Sequence, residues 1–166
     1  MNEIKKSLYL ESTIPSYLTA RESKDVIKAA RQSMTKLFWE QEKDKYRLVI
    51  SQYVVSECKL GDSVAAQKRL AFIAGIPVLE GSDNVDKLAS IYQKLLGVPE
   101  KAKTDCFHLA ICVVAKVDFL LSWNCAHLGL NAYLTIRNYN EKHMLWTPLL
   151  VTPEYFVSQY EEEEGL

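Results

Sequence analysis

The chain has no Gly-rich phosphate loop after its first apolar run, no GxSxG elbow and no CxxC pair. The first absence removes support for a dinucleotide cofactor, whose pyrophosphate needs glycines for close backbone approach. The second removes it for a serine hydrolase of the α/β type. The third leaves zinc with only Cys106-x-His108 and Cys125-x-His127, and residues two apart do not share a helix face. The four cysteines, Cys58, Cys106, Cys112 and Cys125, read better as buried free thiols in a reducing compartment. No run approaches the roughly 20 apolar residues of a membrane span, so no membrane partner is expected. Met1 to Lys6 leads into the first strand without a secretory pattern, and the expected location is cytoplasmic. An excess of one charge is also missing: 20 basic residues face 21 acidic ones, a formal charge of -1. A global basic field for nucleic acid is thereby excluded, and local patches must hold any such partner.

What is present is a regular alternation of strand and helix signals, which calls for a parallel sheet covered on both faces. Apolar runs at Ser7 to Leu10, Leu48 to Ser51, Ile76 to Leu79, Phe119 to Trp123 and Leu149 to Val151 read as strands. Between them, helices are expected from Ser23 to about Glu42, from Ser51 through Glu57, and from Asp62 or Ser63 through Phe72. Further helices are expected from Ser82 to Leu96, from Pro99 to about Lys116, and from Ala126 to about Lys142. Thr152-Pro153-Glu154 reads as one more helix start. Residues 1–166 contain no repeat and no linker, so a single domain is expected, with about 160–166 a frayed acidic tail.

Three carboxylates stand where buried segments give way to turns or helices. Glu11 follows Leu8-Tyr9-Leu10, Glu57 lies one or two turns past Leu48-Val49-Ile50, and Asp105 opens an apolar helix. Asn124 ends Phe119 to Trp123 in the same manner. In an open α/β sheet such strand ends converge on one crevice, where acids repel unless a divalent cation neutralises them. Asp118 lies six residues before Asn124 and belongs at the opposite end of its strand; Asp62, beyond Gly61, does not share the face of Glu57. His108 reads as a packed, hydrogen-bonded histidine and Trp123 as core or crevice wall.

The segments Tyr9-Leu10-Glu11-Ser12-Thr13, Val54-Val55-Ser56-Glu57, Thr104-Asp105-Cys106-Phe107-His108-Leu109-Ala110 and Leu121-Ser122-Trp123-Asn124-Cys125-Ala126-His127 together resemble a PIN domain. They are most similar to VapC-like members whose first and last motifs read approximately YLETS and LLTWNCRH. The resemblance implies an α/β/α sandwich with a mostly parallel central sheet. It also implies a Mg2+- or Mn2+-dependent ribonuclease, often the toxin of a type II toxin–antitoxin pair. On it, Glu11, Glu57 and Asp105 match the family's three acids, Thr13 the hydroxyl residue two positions after the first, and Asn124 the place of a common fourth Asp. Glu11 and Asp105 are then the direct metal ligands, Glu57 a ligand or proton acceptor, and Thr13 and Asn124 orienting groups. The neutral Asn124 departs from the pattern and motivates an alternative, a catalytically weakened PIN domain serving as an RNA-binding or protein-interaction module.

RNA would need cations beside the acids. Arg21, Lys24, Lys28 and Arg31 fall at helical spacing on one stripe, and Lys101 and Lys103 precede Asp105. His127, just after Asn124, is placed to reach a phosphate. PIN toxins commonly dimerise and are blocked by an antitoxin segment over the acidic crevice, so the resemblance implies a homodimer and an antitoxin as partners.

Overall fold

Leu8, Tyr9 and Leu10 are all fully buried, as the middle strand of a parallel sheet must be, because helices cover both of its faces. The computed structural model describes residues 4–124 and 129–157. Strand β1 (Ser7–Leu10) lies between β2 (Arg47–Ser51) and β4 (Phe119–Leu121), with β3 (Val78–Leu79) and β5 (Leu149–Val151) outside them. The order is β3-β2-β1-β4-β5 and every pairing is parallel. Tyr9 sits in register with Val49 on one side and Leu120 on the other.

Eight helices connect and flank the strands among the described residues: α1 (Thr13–Thr19), α2 (Val26–Gln41), α3 (Gln52–Cys58), α4 (Ser63–Ile73), α5 (Asp83–Leu96), α6 (Lys103–Val114), α7 (Leu130–Lys142) and α8 (Pro153–Val157). α1 packs on α2 and α4, whereas α5 packs on α6 and α7. With this strand order, the right-handed rule for parallel crossovers assigns the two groups to opposite faces, in keeping with the expected α/β/α layering. None of these helices is long and apolar enough to cross a membrane.

Side-chain caps fix several starts. Ser51 accepts the amides of Tyr53 and Val54, Asp62 that of Ala65, and Ser82 that of Val85. One helix is additional to the expected set and one expectation is corrected. The turn after Glu11 is itself helical, with Pro15 in the first turn of α1, where no intrahelical amide is needed. The next helix begins at Val26 with Asp25 as its cap, so Arg21 and Lys24 lie before it and the four cations do not form one helical stripe. Its first apolar residues, Val26 and Ile27, are 82% and 66% exposed, and only from Gln32 onward does the helix pack inward.

Asp118 stands at the opposite end of the sheet from Glu11, as its place in the strand requires. Its Oδ2 accepts the Ser7 amide at 2.8 Å and the Ser7 hydroxyl at 2.7 Å, while Ser7 Oγ accepts the Asp118 amide at 2.9 Å. This pair clamps the starts of β1 and β4. Asp118→Ala is therefore expected to cost about 1–3 kcal/mol in urea denaturation, because it leaves two Ser7 donors without their acceptor.

Candidate active site

The sheet order reverses between β1 and β4: the chain moves outward through β2 and β3 on one side and through β5 on the other. Ligand crevices form at the carboxyl ends of strands at such a switch point. Glu11 occupies that lip, its amide bonded to the Leu121 carbonyl at 3.0 Å, one residue beyond β1. The Ser122 amide extends β4 in the same way, onto Val151.

Glu11 is 4% exposed and its carboxylate is heavily hydrogen-bonded. Oε1 accepts Ser12 Oγ at 2.7 Å. Oε2 accepts the Thr13 amide at 3.1 Å, Thr13 Oγ1 at 2.5 Å and Ser122 Oγ at 2.8 Å. The last two hydroxyls are pre-set as donors, because Thr13 Oγ1 accepts the Trp123 amide and Ser122 Oγ the Asn124 amide. The segment after β4 thus aims two hydroxyl hydrogens at Glu11.

Glu57, near the end of α3, lies beside Glu11, and the single hydrogen of Ser12 Oγ is shared between Glu57 Oε2 and Glu11 Oε1. Its Oε1 lies 2.5 Å from Nε2 of His108, one turn past Asp105 on α6. Burial pushes the Glu57 carboxyl up, but the hydrogen bond and charge of His108, with Ser12, bring it below the ordinary carboxylate range. For His108 burial disfavours the cation, while Glu57, Glu11 and Asp105 outweigh it and raise its pKa. Asp105, in the first turn of α6 and 8% exposed, accepts the Asn124 side-chain amide at 2.9 Å. Through Asn124 and Ser122 it is linked to Glu11. The three acids and Asn124 therefore lie on one hydrogen-bonded network, with Thr13 holding Glu11 and Asn124 holding Asp105.

Among the described residues, potential metal-ligating atoms of Glu11, Glu57 and His108 all lie within 4.8 Å of one another. Two carboxylates and an imidazole at this spacing are donors of the kind that can hold a divalent cation. No cysteine among the described residues joins this set, and burial pushes the thiols of Cys58 and Cys106 up to about 11 and raises that of Cys112 as well.

The cations are distributed unevenly. Arg21 and Lys28 line a cavity of about 380 Å³ with Ser16, Tyr17, Ala20, Ser23 and Gln32, one turn along α1 from Thr13. Arg31 lies over the Trp123 ring at 5.4 Å, and Tyr17 meets the same ring edge-on. Trp123 is a wall of the crevice, half-buried, with its indole N–H on Thr35. Lys24 is exposed in the segment before α2. Lys101 is exposed beside the start of α6, and Lys103 pairs with Glu100 at 3.4 Å. His127 lies outside the described residues.

Sequence reading passes over Ser12, Ser122 and Tyr9 as site residues, takes Ser51 only as a helix start, and takes His108 as packed without naming Glu57 as its partner. A buried tyrosine needs a partner for its hydroxyl, and Tyr9 inside an apolar strand is the signal that leads there.

No protein-family model matches the chain, and no curated protein matches it by sequence. A solved structure with a similar fold is a chain of VapBC2 from Rickettsia felis, bound to a DNA fragment from their promoter. It aligns with a TM-score of 0.57 over 88% of this chain and 98% of that one, at 11% sequence identity. At that identity the likeness shows a shared α/β architecture, built here on the five-stranded parallel sheet whose switch point carries Glu11.

Proposed function

We propose that this chain is a divalent-metal-dependent RNA endonuclease of the PIN type, acting as the toxin of a toxin–antitoxin pair. The observation that carries the reading is the grouping of Glu11 and Glu57 with His108 beyond the carboxyl end of β1, with Asp105 joined to Glu11 through Asn124 and Ser122. The fold likeness to a VapBC2 chain supports it, as does the order of the four motifs along the sequence. The antitoxin partner and a homodimer belong to the same proposal, as does action in the cytoplasm.

Bound magnesium or manganese would supply positive charge against the phosphate and the leaving oxygen and make water a better nucleophile. Glu11 and Asp105 are the residues to hold it, each already oriented by the donors described above. Glu57, with a side chain 28% exposed, is the most open of the three and is placed to ligate or to take the proton of the attacking water. Arg21 and Lys28 in the cavity beside α1, together with Arg31 on Trp123, give local positive charge for the RNA backbone despite the neutral whole.

The test is cleavage of single-stranded RNA with manganese, an EDTA control and Asp105→Asn. Metal-dependent cutting that falls at least ~100-fold in the variant is expected, because loss of a direct ligand exceeds the 10–100-fold typical of outer partners. Equal cutting by the variant would sink the assignment. The second reading, a weakened PIN domain that binds RNA or protein, is favoured by one observation: the neutral amide of Asn124 stands against Asp105. Folded protein that binds RNA without cutting it, and gains no stability from metal, would establish that reading instead.

A further inference from the structure

We propose that His108 is a positioning residue for Glu57, held in one tautomer by a buried hydroxyl relay that runs from Ser51 through Tyr9. The relay starts at a helix cap. Ser51 Oγ lies 3.2 Å from the Tyr53 amide and 3.4 Å from the Val54 amide, so both of its lone pairs receive donors. Its single hydrogen is left for Tyr9 Oη, at 2.6 Å. Tyr9 Oη then accepts from Ser51, and its own hydrogen goes to His108 Nδ1, at 2.5 Å. A neutral ring whose Nδ1 accepts carries its hydrogen on Nε2, and that hydrogen points at Glu57 Oε1, 2.5 Å away.

The opposite tautomer fails on both sides. It would press an Nδ1 hydrogen against the Tyr9 hydroxyl hydrogen, and it would turn the Nε2 lone pair on a carboxylate oxygen. Ser51 and Tyr9 are fully buried and His108 nearly so, which denies these groups an easy exchange of partners with solvent. Glu57 Oε1 then has the His108 hydrogen, while its Oε2 shares the single Ser12 hydrogen with Glu11 Oε1.

In this tautomer the ring orients the Glu57 carboxylate through its Nε2 hydrogen. Although His108 belongs to a group of potential ligands with Glu11 and Glu57, its Nε2 lone pair is spent while the hydrogen faces Glu57. His108 therefore stands behind the metal site, as outer partners of ligands commonly do. This consequence rests on the metal-nuclease reading; the relay itself does not.

The test uses the full chain, 15N-labelled, with long-range proton–nitrogen spectra recorded on the alkaline side of the ring's titration. In wild type, His108 Nδ1 should appear as the unprotonated nitrogen and Nε2 as the protonated one. Tyr9→Phe should redistribute the tautomers. Manganese binding, followed by the electron spin resonance of the free ion, should weaken about 10–100-fold in His108→Leu. His108→Gln, whose amide can still donate to Glu57 and accept from Tyr9, should stay within a few fold of wild type. An Nδ1-protonated ring in wild type, or a tautomer balance unchanged in Tyr9→Phe, overturns the relay. Wild-type manganese affinity in folded His108→Leu overturns its role toward Glu57. If His108→Leu does not fold, Tyr9→Phe and His108→Gln still decide. A protein that shows the tautomer and binds manganese but cuts no RNA overturns only the nuclease reading.

Discussion

Replacing Glu11 with alanine is expected to lower the unfolding free energy by about 3 kcal/mol in urea and to abolish stabilisation by divalent metal. Four hydrogen bonds end on this carboxylate, from Ser12, Thr13 twice and Ser122. Hydrogen bonds to a charged group are worth about 1.5–3 kcal/mol each, but they do not simply add. The Ser12 hydroxyl retains Glu57, water can enter at the open lip of the sheet, and removing one acid relieves repulsion in the cluster. Thr13 and Ser122 have less freedom, since the Trp123 and Asn124 amides hold their oxygens and leave the hydrogens aimed at the empty place. Glu11→Gln should lie between alanine and wild type, because one acceptor oxygen survives while the amide faces donors. A Glu11→Ala protein as stable as wild type in urea would contradict the hydrogen-bonded lip as described. The same experiment on Asp118→Ala gives a useful contrast: a loss of stability with metal response retained.

Much of the frame is legible in the sequence for one physical reason. Strand β1 and the inner parts of β2 and β4 are buried, so they read as apolar runs, and Glu11 directly after β1 stands out. Caps such as Ser51 and Ser82 are legible too, because a hydroxyl before an amphipathic segment has a local use. The site's internal wiring is not local. Glu57 and His108 lie fifty-one positions apart, and Tyr9 and His108 ninety-nine. Neither segment alone announces the other. Helix α1 is hidden by its seven residues, its β-branched Thr13 and Ile14, and Pro15, all of which weaken a helical signal. The cationic stripe fails because its spacing assumes a helix running unbroken from Arg21 to Arg31, whereas Asp25 caps α2 and starts the helical phase only at Val26. What survives is tertiary: Arg21 and Lys28 meet at one cavity, and Arg31 reaches Trp123.

Asn124→Asp is the substitution expected to change metal affinity most in the favourable direction. Asn124 now donates its side-chain amide to Asp105 at 2.9 Å while its backbone amide holds Ser122. An aspartate keeps the backbone contact but exchanges a hydrogen bond for two facing carboxylates. Without metal at neutral pH, the variant should therefore lose about 1–2 kcal/mol in urea. With a divalent cation the sign reverses. A fourth carboxylate adds charge and a hard oxygen donor, and site charge is a main determinant of affinity for such ions. Manganese binding should tighten about 10-fold or more, a gain of at least about 1.4 kcal/mol in binding free energy. Lowering the pH should also recover the loss in the metal-free variant, because protonating one partner of a facing pair removes the repulsion. Titration calorimetry with manganese, beside urea curves with and without metal, reads both signs. Weaker binding in Asn124→Asp would mean that the amide's hold on Asp105 matters more to the site than the charge it lacks. Tighter binding together with faster RNA cleavage would mean that Asn124 sets this chain's activity by limiting the charge that holds its metal.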